Sequence, residues 1–378
     1  MNFFTSSIIF PLGILIFSSG LVTNFLQVLT LICLLPLSRS AYRRVNSILM
    51  ELLWSELVWL MDWWAKVEIE VYVDNETWKK MGKEHALLIC NHRSDMDWLV
   101  GWVLAQRVGC LGSTRAVMKK SSKFLPVVGW SMWFSEYTFL ERDWVKDEAI
   151  LKESFQSFKG FPRPFWLALF VEGTRFTEAK LQAAQEHAAS KGLPIPRNVL
   201  IPRTKGFVSA VTNLRSFMPA VYDITIAIPK GKPSPTLLGL INRQPTTVQV
   251  HIRRYLTSDL PISEEGLALW CKETFMNKDD LLEKHKIVNG FGDDLRKRIA
   301  KPVGPLLIVL AWSAFLLFTA GQIFGPLLSS WVGIAWIFGT LATIFFLMQV
   351  FILFTQSERS TPVRQVPQKR MIVVDGSQ

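Results

Sequence analysis

The distribution of charge along the chain restricts its fold more than any other feature, because residues 2–38 and residues 302–357 contain no Asp, Glu, Lys or Arg. One helix needs about 20 apolar residues to cross hydrocarbon. Each run is long enough to span, and the second is long enough to span twice. Gly325, Pro326, Ser329 and Ser330 interrupt that second run, which predicts a hairpin of two helices over 303–324 and 331–354. In the first run, IIFPLGILIF and FLQVLTLICLLPL flank a softer SSGLVTN centre, a pattern that fits either one tilted span or a hairpin. A secretory signal fits poorly: the apolar core is too long, no basic region precedes it, and no small-residue cleavage site follows.

Charged residues make up 19% of the 378, too many for a chain embedded along its whole length, so a soluble body lies between the membrane segments. The organisation expected is an N-terminal membrane segment at 1–38, a body at 39–301, a transmembrane hairpin at 302–357 and a basic tail at 358–378. Basic residues crowd the body side of each boundary, at Arg39, Arg43 and Arg44 and again at Arg296, Lys297, Arg298 and Lys301, and more follow in the tail. By the positive-inside rule, body and tail face the cytosol. A net charge of +11 admits nucleic acid, an anionic bilayer or an anionic substrate as partner, and the membrane segments favour the last two over nucleic acid. Cys33, Cys90, Cys110 and Cys271 form no C-x-x-C pair and have no neighbouring His cluster, so neither a disulfide framework nor a metal site is expected.

Within the body, short apolar runs at 67–73, 86–90, 115–118, 137–140, 167–171, 198–202, 221–228 and 248–255 read as strands. Helical stretches at 143–158 and 178–191 lie between some of them. This alternation predicts an α/β fold, a mostly parallel sheet flanked by helices. The Trp-rich stretch near 48–64 predicts a helix at the membrane interface or one packed on the core.

Two strand ends carry groups capable of chemistry. Strand ALLIC runs into Asn91-His92-Arg93-Ser94-Asp95-Met96-Asp97, where Ser94 or Asp95 is a candidate cap for a following helix. Asp97 would hold one imidazole nitrogen of His92 while the other faces a cleft, the arrangement of a general base. The second block, Phe170-Val171-Glu172-Gly173-Thr174-Arg175, repeats the layout. Gly173 lets backbone approach an anion, Thr174 offers a hydroxyl, and Arg175 offers a planar fork for phosphate that Glu172 can orient. Arg142 and Lys205 follow two more strand ends and add positive charge, with Arg203 a weaker candidate.

Taken in order, His92-x4-Asp97, Phe139-Leu140-Glu141-Arg142, Glu172-Gly173-Thr174-Arg175 and Ile201-Pro202 resemble the motifs of the glycerolipid acyltransferases. The likeness is to the 1-acylglycerol-3-phosphate acyltransferases of the plant endoplasmic-reticulum type. In the fourth motif the family usually has an apolar residue after proline, where Arg203 stands here. The resemblance implies a multi-pass protein of the endoplasmic reticulum membrane that transfers an acyl group from acyl-CoA to the sn-2 hydroxyl of lysophosphatidic acid. It implies no cofactor and no metal. His92 would be the base and Asp97 its partner, while Arg142, Arg175 and Lys205 would hold the acceptor phosphate beside Glu172, Gly173 and Thr174. Other readings are an acyltransferase acting on another lysophospholipid or on glycerol 3-phosphate, and a non-catalytic scaffold that binds anionic lipid.

Overall fold

The computed structural model describes residues 3–355 apart from Arg142, Asp293, Asp294 and Arg298. The basic tail at 358–378, and with it that part of the topology argument, lies outside the described residues.

The chain begins with α1 (Phe3–Cys33) and α2 (Arg39–Trp59), whose last turn widens into π-helical geometry over Leu60–Trp64. The order that follows is β1 (Glu68–Tyr72), α3 (Asn75–Lys80), β2 (Ala86–Cys90), α4 (Asp97–Arg107), β3 (Thr114–Lys119), α5 (Val128–Phe134) and β4 (Thr138–Leu140). Next come α6 (Trp144–Ser157), β5 (Trp166–Leu169), α7 (Glu178–Ser190), α8 (Thr204–Leu214), β6 (Ala220–Ala227), α9 (Leu237–Ile241) and β7 (Thr247–Leu256). The chain closes with α10 (Glu264–Val288), β8 (Arg296–Lys297), α11 (Gly304–Leu327) and α12 (Trp331–Thr355).

The strands form one sheet in the order β4-β3-β5-β2-β6-β7-β1-β8. β4, β3, β5, β2 and β6 run parallel to one another, β7 is antiparallel to β6, and β1 is parallel to β7. This is the mostly parallel α/β sheet expected. β2 lies at its centre and is apolar at every position because helices cover both faces. Ala86, Leu88 and Cys90 pack into the layer containing α2 and α4, whereas Leu87 and Ile89 pack with Leu151 and Phe155 of α6, Phe207 and Val211 of α8 and Phe275 of α10. Parallel neighbours bring the carboxyl ends of β2 and β5 side by side, the place where α/β sheets bind ligands.

Residues 198–202 do not form the strand that their apolar composition predicts. Asp279 of α10 accepts the N–H groups of Arg197, Asn198 and Val199, and Glu172 accepts that of Leu200, so carboxylates take the donors that a sheet ladder would have used.

α1 is one continuous helix, and the softer centre of its sequence is a polar stripe rather than a turn. Ser19, Thr23, Asn24 and Gln27 fall on one face at helical spacing and are buried against the body, while Phe25, Leu29 and Ile32 remain exposed. Ser19 donates to Glu56 of α2 at 2.8 Å, Asn24 donates to Ser131 of α5 at 2.6 Å, and Gln27 donates to Asn46 of α2 at 2.8 Å. Helices α11 and α12 pack on each other and on α1. α1 and α11 are long and apolar enough to cross a membrane.

For the 48–64 stretch, the packing matches the core alternative. Met50, Leu53, Trp54, Leu57 and Val58 are buried, and Trp54 stacks on Trp102 of α4 with ring centroids 3.9 Å apart. The basic cluster after α1 also has structural work, since Arg43 is buried and its Nε lies 2.6 Å from Glu136, which also pairs with Arg39.

Candidate active site

At the end of β2 the chain turns sharply into α4, and the turn is built around one carboxylate. Asp97, the first residue of α4, is buried. Its Oδ2 accepts the backbone N–H of Arg93 at 2.6 Å and of Ser94 at 2.8 Å, and its Oδ1 accepts the Ser94 hydroxyl at 2.9 Å. The same Oδ2 lies 2.9 Å from Nδ1 of His92. A carboxylate that only accepts fixes the proton on Nδ1, which leaves Nε2 as the basic nitrogen of the ring. His92 keeps 23% of its side-chain surface exposed, and the ring lies over Phe170 with centroids 4.4 Å apart. Ser94 and Asp95 do not cap α4. Ser94 accepts from the Met96 N–H and braces Asp97, and the helix starts later, at Asp97 itself.

The block after β5 stands directly beside this turn. Phe176 N–H donates to the His92 carbonyl at 2.8 Å. Glu172 is buried and takes a role different from orienting Arg175: its two oxygens accept the N–H groups of His92 at 3.1 Å and Leu200 at 3.3 Å. It therefore ties three loops together. Burial pushes its carboxyl up to about 8, against the opposing pull of those two hydrogen bonds. Gly173 has φ +69°, a conformation that suits glycine, and a Cβ added there would meet Cδ of Arg203 at 2.9 Å. Thr174 accepts from Nζ of Lys180 at 2.8 Å. The Arg175 guanidinium is mostly buried, pairs with Asp95, and has its pKa lowered by burial.

Of the predicted site residues, His92, Asp97, Glu172, Gly173, Thr174 and Arg175 meet at one edge of the sheet. Arg142 lies outside the described residues. Lys205, ranked above Arg203 from the sequence, sits over the Trp144 ring at 5.2 Å, whereas Arg203 lies across the Gly173 turn with its N–H 2.7 Å from the Val171 carbonyl. The sequence reading missed Asp95, Ser94, Lys180 and Phe170 as partners in the site. The signals were weak: Ser94 and Asp95 read as caps, and Phe170 read as one more strand residue. Asn91 also went unread, although its amide exchanges two hydrogen bonds with the Ile226 backbone, at 2.9 and 2.8 Å, and so ties the His92 turn to β6.

A buried carboxylate orienting a partly exposed imidazole, with a guanidinium on the adjoining turn, can remove a proton from a hydroxyl beside a bound anion. Comparison with known proteins agrees with that class of chemistry. The family model described as Acyltransferase matches residues 68–229, β1 to the end of β6, and that described as Acyltransferase C-terminus matches residues 239–312. The chain is 57% identical to 1-acyl-sn-glycerol-3-phosphate acyltransferase 2 of Arabidopsis thaliana, over 96% of this chain and 94% of the relative. It is 50% identical to 1-acyl-sn-glycerol-3-phosphate acyltransferase 3 of the same plant, over 96% of this chain and 97% of the relative. The human relative 1-acyl-sn-glycerol-3-phosphate acyltransferase gamma is 38% identical, over 81% of this chain and 80% of its own length. No solved structure matches the chain. The chain belongs to the 1-acyl-sn-glycerol-3-phosphate acyltransferase family.

Proposed function

We propose that the protein transfers an acyl group from acyl-CoA to the sn-2 hydroxyl of lysophosphatidic acid, giving phosphatidic acid for phospholipid and triacylglycerol synthesis. The observation that carries this reading is the His92–Asp97 pair standing on the same sheet edge as Arg175, together with the names of the relatives. Nε2 of His92 takes the hydroxyl proton as the oxygen attacks the thioester carbonyl. The tetrahedral adduct then collapses, the C–S bond breaks, and the imidazolium returns the proton to the departing CoA sulfur. Asp97 stabilises the imidazolium between these two events. Arg175 binds the acceptor phosphate through its planar fork, exchanging part of its contact with Asp95 for the phosphate, and Arg203 adds positive charge across the Gly173 turn. Arg142 and Lys205 remain proposed members of the phosphate set. Helices α1, α11 and α12 hold the body on the cytosolic face of the endoplasmic reticulum membrane, where acyl-CoA is present.

The test is an assay of the purified full-length protein with acyl-CoA and a panel of acceptors. Lysophosphatidic acid should be acylated in preference to glycerol 3-phosphate and to lysophospholipids with esterified phosphates. Arg175→Ala should raise the KM for lysophosphatidic acid by about tenfold or more and leave the KM for acyl-CoA nearly unchanged, with Arg175→Lys restoring only part of the loss. Equal rises for both substrates would remove Arg175 from the acceptor site.

A further inference from the structure

Away from His92, the junction between α1 and the β3–β4 crossover is constructed with unusual care. Val127, a β-branched residue, has φ +64°, a strained backbone conformation. The strain accompanies a close approach: a Cβ placed on Gly20 of α1 would lie 2.1 Å from Cγ1 of Val127. One turn further along α1, Asn24 donates to Ser131, and Ser131 donates to Gln27 at 3.0 Å. These contacts hold α1 and α5 as two walls of a groove of about 460 Å³. Phe25 and Val28 of α1 face Phe124, Trp130 and Trp133 across it, and all five side chains are exposed.

The groove has the chemistry of a lipid seat. Its walls continue the exposed apolar face of α1, which carries Leu29 and Ile32 further along the same helix. Lys123 stands at the groove with its ammonium 4.9 Å from the centre of the Trp133 ring. Trp beside Lys at the end of an apolar surface is the pairing that settles at headgroup level in a bilayer. None of these residues belongs to the His92 site.

We infer that the groove between α1 and residues 120–134 binds one anionic phospholipid of the surrounding bilayer, with an acyl chain along Phe25, Val28 and Trp130 and the headgroup phosphate on Lys123. The site is separate from the acceptor site, and its occupant is not turned over.

Native mass spectrometry of the full-length protein in detergent, titrated with phosphatidylglycerol or phosphatidylcholine, tests this. The wild type should retain one phosphatidylglycerol in preference to phosphatidylcholine. Lys123→Ala should weaken phosphatidylglycerol retention roughly fivefold, the effect of one cation facing an anionic headgroup, and weaken phosphatidylcholine less, because the choline cation offsets the charge of its phosphate. Val28→Trp, which fills the groove from an exposed position, should reduce retention of both lipids. Turnover at saturating substrates should match the wild type in both variants, which also establishes that they are folded. Unchanged phosphatidylglycerol retention in both variants would overturn the site. Equal weakening of both lipids in Lys123→Ala would overturn the headgroup assignment.

Discussion

The His92 turn and the α1 junction both bury polar groups beneath helices, but they satisfy them differently. Around His92 the acceptors are carboxylates and most of the donors are backbone N–H groups: Asp97 holds those of Arg93 and Ser94, Glu172 those of His92 and Leu200, and Asp279 those of residues 197–199. At the α1 junction the bonds run from side chain to side chain, Ser19 to Glu56, Asn24 to Ser131 and Gln27 to Asn46. Loops have no ladder of their own, so a carboxylate that grips successive N–H groups fixes backbone that would otherwise move. Helices are already rigid and need only their register and separation set. The first kind of bonding suits chemistry, which is sensitive to displacements of an ångström. The second suits assembly.

The largest expected effect tests that division at its chemical end. His92→Ala should lower kcat by about 10²–10⁴, the usual contribution of a positioned base. Asp97→Asn, which keeps the shape but removes the charge that stabilises the imidazolium, should fall short of that loss while remaining severe. A folded His92→Ala protein with wild-type kcat would remove the base.

A smaller effect should appear at the assembly end. Gly20→Ala drives a methyl into Val127 and should cost about 1–3 kcal/mol of stability, seen as a lowered melting midpoint, with kcat per folded molecule unchanged. Gly101→Ala on α4, where a Cβ meets open space, should be neutral or mildly stabilising. A Gly20→Ala protein that melts like the wild type would mean that the close approach carries no weight.

The smallest effect concerns pH and sharpens the comparison, because burial pushes the Glu56 and Glu172 carboxyls alike up to about 8. Unfolded, each ionises near the ordinary value of about 4.3. The folded chain therefore binds more protons between there and about 8, so both groups favour folding at the acidic end of that window and the benefit fades as pH rises through about 8. Glu56→Gln should flatten the fall in melting midpoint across this range and leave kcat intact. Glu172→Gln should flatten it as well, and should also lower kcat, because an amide nitrogen cannot accept the second backbone donor.

Much of the fold could be read from local pattern because β2, β5 and β6 are short apolar runs ended by polar turns, and the helices between them have ordinary lengths. Residues 198–202 defeated that reading because their partners, Asp279 and Glu172, are remote in sequence. The stripe on α1 was legible in principle: Ser19, Thr23 and Gln27 recur every four residues, a period that marks a helix face rather than a break. In the site, the His92–Asp97 pair was legible from its place at the end of an apolar strand together with the matching Glu172–Arg175 block, the spacing by itself being weak evidence. Glu172 is expected from the sequence to orient Arg175, three residues away, whereas the backbone N–H groups that its oxygens accept leave no trace in composition. Arg203 lies against the Gly173 turn and Lys205 over Trp144, a difference that residue type does not encode. Only the turn at Gly173 decides which of two neighbouring cations lies against it.

The pairing of β1 with β7 bears on how the protein is made. Glu68 aligns with Thr247 and Tyr72 with His251, so a strand that leaves the ribosome early waits for a partner synthesised much later. Roughly 180 residues separate them, or about 10–40 s of synthesis at cellular rates. Throughout that interval α1 has emerged and can enter the membrane, while β1 presents an unpaired edge beside it. A nascent chain stalled between β6 and β7 would be tethered to the membrane with that edge open, the state in which chaperone capture or aggregation competes with completion of the sheet.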